Sequence, residues 1–122
     1  MTRVQPGTVA VRVVGGPGSN GERFLNELAQ SFPDTAPRLP SELRWSAPHT
    51  GSVWSRAFDV GLVAQAAQRP HGSDGAVIWV QGEREDVQVV LGVLDLWFRR
   101  ENQDPVHPVD QYVEIAMELT PR

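Results

Sequence analysis

Two groups of residues in this chain have types and spacings that could do chemistry. The first is Gly16-Pro17-Gly18-Ser19-Asn20-Gly21, a G-x-G-x-x-G run between an apolar stretch and a helix-like segment. In a dinucleotide-binding turn, such glycines let the backbone approach a pyrophosphate seated on a helix N-terminus. An acidic residue about 20 positions further on then holds the ribose. Glu42 stands at about that distance, so Gly16, Gly18 and Gly21 are the nucleotide-binding candidates. The chemistry around them is poor. Pro17 has no amide to offer, and Arg12 interrupts a strand which that fold buries on both faces. Glu22-Arg23 also stand where a P-loop needs a lysine and a hydroxyl. Ser19 to Glu22 reads S-x-x-E, a capping box that stabilises a helix start by about 0.5 to 2 kcal/mol. A structural turn and cap therefore accounts for the run better than a phosphate site.

The second group is a pair of H-x-x-D motifs, His71 to Asp74 and His107 to Asp110. Imidazole with carboxylate makes a plausible metal shell, so His71, Asp74, His107 and Asp110 are the metal candidates. The same His, Asp, Gly and Pro composition is that of ordinary turns, and nothing in the spacing brings the two loops together. Ser52, Ser55 and Ser73 accompany three histidines without the G-x-S-x-G elbow that would mark a nucleophile. The absence of cysteine excludes thiolate catalysis, disulfides and Cys-ligated zinc, and the absence of lysine removes the usual Schiff-base nucleophile. No catalytic residue stands out, and no cofactor is implied.

The elements that must position these residues follow from periodicity. Residues 8–14, TVAVRVV, alternate as a strand, and residues 22–32 place Phe24, Leu25, Leu28 and Phe32 on one helical stripe that Pro33 ends. A Pro-rich connector over 33–41 leads to a short strand predicted at 42–46. Residues 53–68 read as a strand running into a helix or loop. Residues 76–81 and 111–119 are strands, while 69–75 and 102–110 read as polar loops. The chain of 122 residues fits one domain. The expected fold is α+β: a small mixed, mainly antiparallel sheet of four to five strands, with two main helices at about 21–32 and 84–100 on one face.

The later helix carries the functional expectation. Val87, Val90, Leu91, Leu94, Trp97 and Phe98 form one stripe, and Val89, Val93 and Leu96 widen it beyond what a one-sided surface helix shows. Acidic Glu83, Glu85 and Asp86 precede it, Arg99 and Arg100 close it, and Asp95 is placed to pair with Arg99. So wide an arc must be covered from more than one direction, by residues 53–68 or by another chain. Four tryptophans also favour an interface. Val89, Val93, Leu96, Trp97 and Trp54 are therefore the interface candidates.

The formal charge of -4, with no dense Arg segment, argues against nucleic acid. No run of ~18 apolar residues suggests a membrane span, and the first residues have no signal-peptide core, so a cytoplasmic protein is expected. All basic residues are Arg, and Val, Ala, Gly and Pro are abundant, as GC-rich coding produces. The expectation is a non-enzymatic interaction or assembly module, forming a homo-oligomer or joining another protein chain, as in a larger bacterial or phage assembly. The alternative is a small ligand-, nucleotide- or metal-binding domain built on the glycine turn or the H-x-x-D loops.

Overall fold

A computed structural model describes residues 2–15, 21–33, 37–46, 52–64, 76–109 and 111–122, and for residues 104–109 the backbone alone. The elements run β1 (Thr8–Gly15), α1 (Gly21–Ala29), β2 (Ser52–Asp59), β3 (Ala76–Glu83), α2 (Arg84–Asp95), β4 (Phe98–Val109) and β5 (Tyr112–Pro121). The strands form one sheet in the order β2-β1-β3-β5-β4, with every neighbouring pair antiparallel. This is the α+β fold expected from the alternating strands.

Alternation sorts the side chains onto two faces, because successive residues of a strand point to opposite sides. On one face, Val9, Val11 and Val13 of β1 join Ile78 and Val80 of β3 and Val113, Ile115, Met117 and Leu119 of β5. Both helices close over this face, with Phe24, Leu25 and Leu28 from α1 and Val87, Val90, Leu91 and Leu94 from α2 in the same buried cluster. Aromatic rings lock the corners: Phe24 meets Phe98 at 5.8 Å between centroids, and Phe32 meets Phe58 at 5.7 Å.

The other face holds a second, smaller cluster. Val4, Ala10 and Trp45 are buried there, with Val14, Leu39, Leu43, Trp79 and Tyr112 packed around them. Residues 37–46 thus lie over the sheet as a strap. The strand predicted at 42–46 is absent, since this segment turns at 41–42 and is irregular over 43–45. Its apolar residues are used to cover the sheet from above, and the side-chain amide of Gln81 donates to the Arg44 carbonyl at 2.9 Å.

Three boundaries differ from the sequence reading. The first helix ends at Ala29, where the Gln30, Ser31 and Phe32 amides donate three residues back in a tightened last turn. The second ends at Asp95, because Leu96 and Trp97 likewise bond to Val93 and Leu94 and the chain then leaves as β4. Residues 102–109, read as a loop from their prolines and polar residues, belong to β4. Proline is tolerated there because β4 is an edge strand whose outer amides have no ladder to complete among the described residues. The expected loop at 69–75 lies outside the described residues.

Candidate functional site

Of the glycine run, Gly16 and Gly18 lie outside the described residues, as does Ser19 of the expected capping box. Gly21 is the first residue of α1 and is buried. Its environment explains its identity. A Cβ placed there would fall 2.7 Å from Cδ2 of Trp54 and closer still to Cε3, so the indole of β2 lies flat against the bare backbone. The last glycine of the motif is therefore the one that lets a helix start close to a strand, and this packing needs no phosphate.

The H-x-x-D residues His71, Asp74 and Asp110 lie outside the described residues, and of His107 only its place in β4 is described. Among the described residues, no three His, Cys, Asp or Glu side chains gather where a metal ion could sit.

The interface candidates divide. Val93 and Trp97 are each only 7% exposed and belong to the main core, while Val89 and Trp54 are partly buried against it. Leu96, at 68% exposed, is the one that stands free. The wide arc of α2 is thus covered mainly by this chain: by β1, β3 and β5 beneath it, and by Phe98 as the chain folds back into β4. The anticipated Asp95–Arg99 pair is replaced by Asp95–Arg100, with Nε at 2.8 Å from Oδ1 and Nη2 at 3.2 Å from Oδ2. Because α2 ends at Asp95, Arg99 is not one helical turn away, and Arg100 of β4 reaches the carboxylate instead.

The sequence reading missed a polar network on the strapped face. Tyr112 donates to Oε1 of the buried Gln81 at 2.6 Å and accepts from the Val4 amide at 3.3 Å. The Arg12 guanidinium lies 4.8 Å from the Trp45 ring centroid, and its Nε donates to Ser55 Oγ at 2.8 Å. Glu114 accepts from the Ser46 hydroxyl at 2.7 Å and from its amide at 3.1 Å. Burial pushes the Tyr112 hydroxyl above its ordinary value, with the Val4 amide and the Arg3 charge opposing; burial pushes Arg12 down, with Glu114 opposing. The signal available in the sequence was Arg12 and Gln81 standing inside otherwise apolar strands. Each fastens the N-terminal residues or the strap to the sheet.

The two sheet edges are unlike. β4 carries Arg99, Arg100, Glu101 and Asp104, two prolines, and register breaks between Glu101 and Asp104 and between Val106 and Val109. Charges, prolines and bulges are the devices by which edges avoid pairing with other chains. β2 has no proline and runs in unbroken register against β1 from Ser52 to Asp59. Among the described residues, nothing pairs with its outer side. On its helix-side face stand Trp54, Arg56 and Phe58, opposite Val13, Val11 and Val9. Arg56 makes no hydrogen bond or ion pair among the described residues.

No helix among the described residues is long and apolar enough to cross a membrane. Compared with protein-family models, with curated proteins and with solved structures, the chain finds no match in any of the three.

Proposed function

We propose that this chain is a non-enzymatic interaction module that takes up another polypeptide strand along the outer edge of β2. The observation that carries the reading is the asymmetry of the sheet: β4 carries charges, two prolines and two register breaks, devices that oppose strand addition, and β2 has a proline-free edge without a register break. Main-chain hydrogen bonds supply affinity in such docking, and alternate side chains supply selectivity. Trp54 and Arg56 are the side chains placed to do so, and Leu96 lies elsewhere, at the C-terminal end of α2.

A displayed library of extended peptides tests this reading. Selected binders are expected to show alternating patterns, to slow hydrogen exchange at β2 amides, and to lose binding when a proline is placed at whichever of Ser55 and Arg56 directs its N–H away from β1. Failure of any peptide to protect β2 would overturn it.

A further inference from the structure

We infer that the strand taken up by β2 is the β2 of a second copy, paired antiparallel about a two-fold axis at Ser55. This inference rests on the edge-docking reading above and names its occupant.

Register selects the pairing. A two-fold axis perpendicular to the sheet keeps the helices of both copies on one side, so directly opposed residues must share a face. Only registers that oppose residues of equal parity are then allowed. Within Ser52–Asp59, two such registers give the longest overlap, one centred on Ser55 and one on Arg56. Centring on Arg56 sets two guanidinium groups against each other, and like charges directly opposed across strands destabilise a pair. Centring on Ser55 instead sets Arg56 of each copy opposite Trp54 of the other, twice, by symmetry. It also sets Val53 opposite Ala57 on the strapped face. Cation over indole is the most favourable of the aromatic-cation pairs. Arg56, with no partner among the described residues of its own chain, would gain one from the second copy. The product is a continuous sheet in which the unprotected edge is consumed and only the two protected β4 edges remain, as a closed isologous dimer requires.

The chain has no cysteine, which makes the register directly readable. Sedimentation equilibrium of the unmodified chain is expected to show a reversible dimer. Arg56→Gln should weaken it about tenfold, the product of two lost cation–indole contacts, with an unchanged far-ultraviolet circular dichroism spectrum. On mild oxidation Ser55→Cys should give a covalent dimer, whereas Ala57→Cys should not, because two copies of residue 57 would stand about 13 Å apart along the strands. An unmodified chain that stays monomeric at hundreds of micromolar overturns the inference, as does cross-linking through Ala57→Cys instead of Ser55→Cys or an Arg56→Gln dimer as tight as the original. A monomer that still binds library peptides at β2 sinks self-pairing alone, and one that binds none sinks the edge-docking reading as well.

Discussion

Gly21→Ala isolates what the last glycine of the G-x-G-x-x-G run is for. Gly21 opens α1 with no unusual φ, so backbone freedom is not at stake and only space decides. The added methyl would lie 2.7 Å from Trp54 Cδ2 and nearer to Cε3, whereas ordinary contact begins near 3.4 Å. The indole would have to withdraw by roughly 1 Å, and it is packed against the main core. Overpacking of this kind costs about 1 to 3 kcal/mol. Restricting the unfolded chain returns about 0.4 to 1 kcal/mol. The net expectation is a loss of about 1 to 2 kcal/mol, read by urea unfolding as a lower midpoint at unchanged slope, or by heating as a drop of roughly 4 to 8 °C. Repeating the substitution on a Trp54→Leu background removes the ring that the methyl meets, and the cost should fall by about 1 kcal/mol or more. A neutral or stabilising Gly21→Ala would refute the packing account, and so would an equal cost in both backgrounds. A glycine kept for a bound phosphate predicts another pattern, in which stability is untouched and nucleotide binding is lost.

Gly92→Ala is the opposite case: it lies in the interior of α2 with open space around its Cβ, and the same substitution should stabilise by about 0.5 to 1 kcal/mol in the same urea assay. Gln81→Leu should cost about 1 to 3 kcal/mol, read as a lower urea midpoint, because it leaves the Tyr112 O–H without its acceptor and the Arg44 carbonyl without its donor under the strap. Glu101 and Glu118 are directly opposed on β4 and β5, so Glu118→Gln should raise the urea midpoint by an amount worth a few tenths of a kcal/mol. Tyr112 is the single tyrosine, and its phenolate absorbance should appear at higher pH in the folded chain than in denaturant. Its raised pKa means that the folded state holds the proton more tightly. The stability it supplies is therefore whole below the unfolded value of about 10 and lost as pH rises through the folded one, a loss that Tyr112→Phe should abolish.

The antiparallel character of the sheet was legible because β1 and β5 alternate, and alternation is incompatible with a parallel sheet buried on both faces; the strand order was not. The two helices were legible from their stripes, though not their last turns, since the residues that would continue α2 as a helix are the ones that fold back into β4. β4 itself was hidden by Pro105 and Pro108, which argue against a strand until its edge position is known. Glu42 to Ser46 failed in the other direction: its alternation is real, but it serves contact with a sheet face and not with a neighbouring strand. The network of Arg12, Gln81, Tyr112 and Glu114 joins residues far apart in sequence, and only the strand order brings them onto one face.

The two features that bear on association differ for a physical reason. An apolar arc reports how many neighbours a helix has, without regard to which chain supplies them. α2 lies over an interior part of the sheet, with β1, β3 and β5 beneath and Phe98 returning beside it, so its width is satisfied almost wholly from within. An unpaired strand edge reports something else. Each strand carries two rows of N–H and C=O groups whatever its side chains are, and a strand with one neighbour leaves one row unmatched. That property belongs to the strand order and has no signature in hydropathy, which is why β2 looked unremarkable as a sequence. What the sequence does record is the response to it: β4 carries charges and prolines, while β2, equally an edge, has only Arg56 and Asp59. The two edges of one sheet are thus unequally protected, and β2 is the less protected of them.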